Sequence, residues 1–228
     1  ATEARRIAPD EPRRVQALLQ LCAARAERGD TPDSMSEEIA ELTELSNGLP
    51  DGHLKGRAYW YIGNMQHFAG DTAAGERSHA EAAAMIRGAA DLELWSRVQR
   101  VIAHFRMIRG DLDGVWEQLE IAENAMKLTG RAADLADLAV EQARCLFLLG
   151  DAETARVRLE DALTLEPFSI ACPSRADARE LLADVLLALG EYRGAREAFR
   201  NAANDHEAIG AAPRALEAWR SAAKVPEQ

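Results

Sequence analysis

A glycine followed by an acid recurs along the chain at Gly29-Asp30, Gly70-Asp71, Gly110-Asp111, Gly150-Asp151 and Gly190-Glu191, at intervals of 41, 40, 40 and 40 residues. Self-similarity at a fixed period of this length marks an array of supersecondary units, each too small to bury its own apolar face. Every one of these glycines closes a helical pattern. The residue just past a helix end commonly takes the left-handed conformation, which glycine adopts without steric cost, and the acid after it can accept hydrogen bonds from the free N–H groups of the next helix. The dipeptide therefore reads as the hinge of a helix-turn-helix unit.

Positions flanking the hinge keep the same register. Small residues stand seven before it (Gly63, Ala103, Ala143, Ala183) and five after it (Gly75, Val115, Ala155, Ala195), where two helices can approach closely. Twelve after it come Ala82, Ala122, Ala162 and Ala202, and nine after it His79, Leu119, Leu159 and Phe199, which suit the layer between neighbouring units. Apolar residues make up 47% of the 228 but aromatics only 5%, so Ala and Leu must fill the interior, a profile that favours packed helices over β-sandwiches. The pattern predicts helices near 11–28, 33–46, 54–69, 72–88, 92–109, 112–129, 132–149, 152–166, 174–189, 192–208 and 212–224. A longer connection with Pro167 and Pro173 separates two of them, and Ser174 is placed to cap the helix that follows.

The segment AYWYIGNMQHFAGDTAAGERSHAEAA shows the pattern best, with Ile62-Gly63-Asn64 and Gly70-Asp71, and the fourth repeat adds Ala155, Leu159, Ala162 and Pro167. On these residues the chain resembles the tetratricopeptide (TPR) repeat family over about residues 11 to 225. It departs from that family in its 40-residue period, in His79 where an aromatic is usual, and in a poorly fitting first repeat around Ser34 and Glu38. The resemblance implies an all-α fold, a right-handed α-solenoid of about five TPR-like helix pairs plus a C-terminal capping helix. It forms one domain over 1–228, with repeats near 11–46, 54–88, 92–129, 132–166 and 174–208 and a cap at 212–224. The longer repeat is also similar to the helical sensor arrays of bacterial transcription activators, including the maltose-regulon type and its actinobacterial relatives.

Composition excludes several function classes. The 27 Lys and Arg against 38 Asp and Glu give a net charge of −11, which repels phosphate backbones, so direct nucleic-acid binding is not expected. Cys22, Cys145 and Cys172 form no C-x-x-C pair and support neither a disulfide scaffold nor a zinc module. No window approaches the ~18 apolar residues of a membrane span, and the first 20 residues lack a signal-peptide core, so a soluble, cytoplasmic chain is expected. Only Lys55, Lys127 and Lys224 are lysines, an Arg bias that suits a GC-rich bacterial genome. Nucleotide loops, nucleophile elbows and H-E-x-x-H motifs are absent, and His53, His67, His79, His104 and His206 show no metal-ligand spacing within a helix. We expect no catalysis, no cofactor and no metal.

In the family resembled, the first helix of each pair lines the concave side, and groove residues fall thirteen, ten, six, three and two positions before the hinge. The resemblance thus implies Arg57, Trp60, Asn64, His67 and Phe68 in the second repeat, and Arg97, Arg100, His104, Met107 and Ile108 in the third. It implies Asp137, Val140, Arg144, Phe147 and Leu148 in the fourth, and Asp177, Glu180, Asp184, Leu187 and Ala188 in the fifth. The candidate ligand-binding set is Arg57, Trp60, Asn64, His67, Arg97, Arg100, His104, Met107 and Arg144. Arg forks bind carboxylate or phosphate, Trp60 offers a flat platform, and Asn64 can hold a peptide backbone. Two readings stay open for the groove arginines: they bind an anionic ligand, or Arg100 and Arg144 pair with acids such as Glu141 and Asp184 on adjacent first helices and neutralise the groove. The expected function is a non-catalytic ligand- or peptide-sensing module of a bacterial regulator, with a peptide, protein or small anionic ligand as partner. Because the chain starts at Ala1 rather than Met, a DNA- or nucleotide-binding domain outside it is also expected. The alternative is a scaffold that bridges partners or self-associates as a homodimer, with Leu216 and Trp219 on the last helix as candidates for contact.

Overall fold

The computed structural model describes residues 11–27, 33–88 and 91–227. Eleven α-helices lie among them: α1 (Glu11–Glu27), α2 (Ser36–Gly48), α3 (His53–Phe68), α4 (Thr72–Gly88), α5 (Leu92–Ile108), α6 (Val115–Thr129), α7 (Ala132–Leu148), α8 (Ala152–Leu163), α9 (Pro173–Ala188), α10 (Tyr192–Ala208) and α11 (Ala212–Lys224). No strand occurs among the described residues. The chain divides into two compact units, Ala1–Phe105 and Arg106–Gln228, with the division inside α5.

The hinges form as the glycine pattern predicts. Gly70, Gly110, Gly150 and Gly190 all have positive φ, between 74° and 89°. At each, the glycine N–H bonds the carbonyl three residues back and the next N–H bonds the carbonyl five back, as in Asp71 N to Gln66 O at 2.9 Å and Asp151 N to Leu146 O at 2.9 Å. These bonds satisfy carbonyls that a helix end otherwise leaves open. The first hinge, Gly29-Asp30, lies outside the described residues. The acid caps the next helix at two hinges: Asp71 Oδ1 accepts from Ala74 N at 2.9 Å, and Asp151 Oδ1 from Thr154 N at 3.1 Å. At a third, the Arg106 guanidinium takes Asp111 instead, donating from Nε at 2.9 Å, and α6 starts only at Val115, after Gly114 at φ 65°. Glu191 makes no side-chain cap either. Ser174 does not cap α9, which begins on Pro173 itself, after a short 3-10 turn at Glu166–Phe168.

Burial follows the 40-residue register. The residues twelve after the hinge, Ala82, Ala122, Ala162 and Ala202, are at most 2% exposed, and the small residues seven before it are buried throughout. Two further layers on the first helices keep step: Ala58, Val98, Leu138, Ala178 and Ala218, and Met65, Phe105, Cys145, Val185 and Val225. The last of these lies beyond the end of α11 in extended backbone, yet stays buried against Leu186 and Phe199.

Within the first unit, α1, α2 and α3 share a core of Val15, Leu18, Leu19, Cys22, Leu42, Ile62 and Met65, and α4 packs on α3. Glycine at both Gly63 and Gly75 brings those last two helices unusually close: a Cβ on Gly75 would lie 2.8 Å from the Gly63 carbonyl oxygen. Within the second unit, α7, α8 and α9 enclose Ala143, Ala155, Leu159, Leu181 and Val185, and α10 packs between α9 and α11.

Because Ala162 is 2% exposed in the core shared by α7, α8 and α9, the ring of Ala162→Trp must displace its neighbours or force its way into the cleft beside Ala139 and Leu165. We expect a loss of ~1 to 3 kcal/mol or more, read as a lower midpoint in chemical or thermal unfolding.

Candidate functional site

Helix α3 turns Ala58, Tyr61, Ile62 and Met65 into the core and so leaves the stripe of Arg57, Trp60, Asn64 and His67 on another face. Arg57 is exposed, whereas Trp60, Asn64 and His67 are half-buried. The Trp60 ring lies against the cluster of Ala82, Ile86, Leu94 and Val98, and its buried Nε1 has no hydrogen-bond partner among the described residues. The Phe68 side chain lies outside those described. Helix α5 repeats the arrangement: Leu94, Val98 and Phe105 are buried, and Arg97, Arg100 and His104 are half-buried. Arg97 pairs with Glu93 at 3.1 Å, one turn away. The His67 and His104 ring centroids are 6.0 Å apart in an edge-on contact, so the two stripes adjoin within the first unit. Burial, and secondarily the neighbouring His104, lower the pKa of His67.

Behind this surface, His79 on α4 is fully buried. Its Nδ1 lies 2.6 Å from the Gly75 carbonyl oxygen and its Nε2 lies 3.0 Å from Oδ1 of the Asn64 side-chain amide. Gly63 makes the space: a Cβ there would sit 2.5 Å from Nδ1. Asn64 is thus engaged inside its own repeat, which leaves only part of its amide for a ligand. Burial drives the His79 pKa down to about 4, against a partly compensating bond to Gly75.

That depression has a definite sign. The unfolded chain binds a proton on this imidazole below ~6.5 that the folded first unit refuses until about 4, so stability is full above ~6.5 and falls as pH drops through that window. Between pH 7 and pH 4 the loss is on the order of 3 kcal/mol. Unfolding curves at the two pH values should separate for the native chain by about that much more than for His79→Phe, which carries the residue type found at the same position in the last repeat.

The second unit treats its candidates differently. Met107 is 3% exposed, so the core takes it up and it is not offered to a ligand, while its neighbour Ile108 is 54% exposed. Arg144 lies 3.4 Å from Glu141 one turn earlier on α7. It also stands near Asp184, whose carboxyl is raised by burial and by Glu180 while Arg144 pulls it back. Arg144 therefore forms its ion pair within α7, with Glu141, and acts on Asp184 of the adjacent first helix through its field.

Sequence reasoning missed the ion network at the end of this unit. Asp205 on α10, 3% exposed, accepts from Arg175 at 2.9 and 2.5 Å in a two-pronged pair, and from Arg179 at 2.6 Å. Beside it, His206 Nε2 lies 3.0 Å from Glu180, and Arg214 on α11 donates to Glu180 at 2.7 Å and Asp177 at 2.9 Å. The (i, i+4) pair Arg175 and Arg179 was a visible signal, but nothing in the sequence named a partner some 26 to 30 residues away. Asp177, Glu180 and His206 bring ligand atoms within 4.8 Å of one another. They suit a metal poorly, because Arg214 already neutralises both carboxylates. A metal on Nε2 would also force the proton onto His206 Nδ1, which is buried with no acceptor. Asp205→Ala should leave two largely buried guanidinium groups uncompensated and cost ~3 to 5 kcal/mol in an unfolding titration.

No family model matches the chain, and no curated protein matches it in sequence. Solved structures do. A Rap protein complexed with Competence and Sporulation Factor is similar at TM-score 0.70 and 16% identity, over 81% of this chain and 52% of that one. A thermophilic TPR protein of Thermus thermophilus is similar at TM-score 0.60 and 18% identity, covering 92% and 98% of the two chains. A kinesin light chain of P. anserina with nearly identical TPR-like repeats gives 0.58 and 18%, covering 88% and 96%. These likenesses establish the fold, which is that of the TPR-like helical repeats. This chain spans about half of the Rap protein. Among the described residues no helix is long and apolar enough to cross a membrane.

Proposed function

We propose that this chain is a non-catalytic recognition module of a bacterial regulatory protein, taking an acidic peptide or a small anionic ligand on the first-helix face of its first unit. One observation carries the reading. In a chain of net charge −11, α3 and α5 present Arg57, Arg97, Arg100, His67 and His104 with Trp60 on two adjoining stripes that the core leaves partly exposed. Guanidinium forks favour carboxylates, and a half-buried indole supplies apolar contact at little cost in conformational entropy. The complex of a similarly folded Rap protein with Competence and Sporulation Factor supports such a use of the fold.

A degenerate library of Asp- and Glu-rich hexapeptides, screened by thermal shift and then by titration of tryptophan fluorescence, tests this. Arg100→Glu should weaken a captured peptide by ~2 to 5 kcal/mol, measured at a temperature where native chain and variant are both folded. Arg109→Glu, outside the stripes, should not. Equal binding by native chain, Arg100→Glu and Trp60→Ala would refute the assignment.

A second reading, self-association, has its own observation: Leu216 is 50% and Trp219 37% exposed on α11, although the Trp219 indole donates to Glu207 at 2.8 Å. Light scattering at increasing concentration decides it. A mass that stays at one chain removes the self-association reading.

A further inference from the structure

The pair His79 and Asn64 fixes which end of the Asn64 amide a ligand would meet. A carbonyl oxygen only accepts, so the 2.6 Å contact between His79 Nδ1 and Gly75 O requires the proton on Nδ1. The imidazole is fully buried, and no carboxylate among the described residues bonds to it. Its surroundings are Gly63 and Asn64 on α3, the Phe105 ring on α5 at 5.3 Å, and the titratable His67, itself beside His104. None of these compensates a positive charge, so Nε2 carries a lone pair and not a second proton. The atom of Asn64 that stands 3.0 Å from Nε2 in the structure is Oδ1, which a lone pair cannot bond; a half-turn of the side-chain amide exchanges oxygen and nitrogen in nearly the same space, and the NH2 it brings to Nε2 is the group that satisfies the lone pair.

We propose that His79 is a positioning residue that sets the specificity of the first-unit surface: it takes an amide hydrogen from Asn64 at Nε2 and so turns the Asn64 carbonyl oxygen away from itself, where it accepts from a ligand N–H. The surface then recognises a peptide through a backbone N–H at Asn64 and through carboxylates at the arginines. A ligand with carboxylates alone would leave that oxygen unmet. This rests on the peptide-binding reading above, although the state of His79 in the free protein does not depend on it. The repeat register explains why the arrangement is confined to one place. At the position of His79 the later repeats carry Leu119, Leu159 and Phe199, and Gly63 is the glycine among three alanines.

The experiment has two arms. In the free full-length chain labelled with 15N-histidine, long-range proton–nitrogen correlation at neutral pH should show one imidazole, lost in His79→Leu, with a protonated Nδ1 and a bare Nε2. Asn64→Asp should move its titration upward, because a carboxylate can only face Nε2 once that nitrogen is protonated. An imidazolium, or a proton on Nε2, in the native chain would overturn the proposal. In the second arm the acidic hexapeptide library is compared with the same library methylated on its backbone nitrogens. The native chain should prefer the unmethylated peptides by about tenfold, one hydrogen bond's worth, and His79→Leu should narrow the preference because its Asn64 amide can turn either way. Equal capture of both libraries by the native chain would overturn the specificity claim. Capture of neither would sink the peptide-binding reading and the specificity claim with it, while the nitrogen spectra would still decide the state of His79.

Discussion

The close crossing of paired helices governs the rest of this structure. Where a first helix meets its second, the two backbones must approach closely enough that only small residues fit, and the chain meets that demand with Gly63 and Gly75 in one repeat and with Ala143 and Ala155 or Ala183 and Ala195 in others. Once the crossing is set, the left-handed glycine seven residues on fixes where the first helix stops and how the second departs. Rotation of each helix about its axis follows, and with it which residues enter the layers and which are left outside. The stripes on α3 and α5 are a by-product of that rotation: they are what remains after Ala58, Met65, Val98 and Phe105 have gone inward.

Two contrasting uses of charge follow in the two units. In the second, buried and half-buried ions are matched within the chain, most fully at Asp205, where two guanidinium groups share one carboxylate. Such networks add less net stability than their number suggests, since desolvation opposes the attraction, but they make the relation of α9, α10 and α11 specific. In the first, the buried imidazole of His79, whose burial disfavours its charged form, lies against a backbone carbonyl and a side-chain amide. A neutral buried pair carries a far smaller desolvation cost, and it holds a surface residue without placing a fixed charge beneath it.

Helix order and layer register were legible in the sequence because they rest on local chemistry, with glycine for a positive φ and alanine for a close approach. The start of α6 was not legible, since Arg106 competes for the acid that caps the following helix at Gly70 and Gly150. On the site, the family resemblance placed Arg57, Trp60, Asn64, His67, Arg97, Arg100 and His104 outside the core, but it also put Met107 there. That residue lies just where a helix end reorients its side chains, and its neighbour Ile108 is the one left exposed. The Arg144 pair with Glu141 was open to reading, since the two stand three apart on α7, but the approach of Arg144 to Asp184 on α9 was not, because spacing along one helix does not encode it. The ring of Asp205 with Arg175 and Arg179 was hidden for the same reason.

The exchange of a methyl for a ring under the hinge sets the repeats apart from one another. Gly63 faces an imidazole, whereas Ala143 and Ala183 lie in layers filled by Leu159 and Phe199. A second helix from one repeat, laid by mistake on the first helix of another, would find the backbone frame correct and the filling wrong: His79 would press on an alanine methyl and strand its Nε2 far from any amide. Tandem repeats run a standing risk of pairing out of order while the chain is still assembling. Small mismatches of this kind act as keys that penalise the wrong neighbour without disturbing the shared turn.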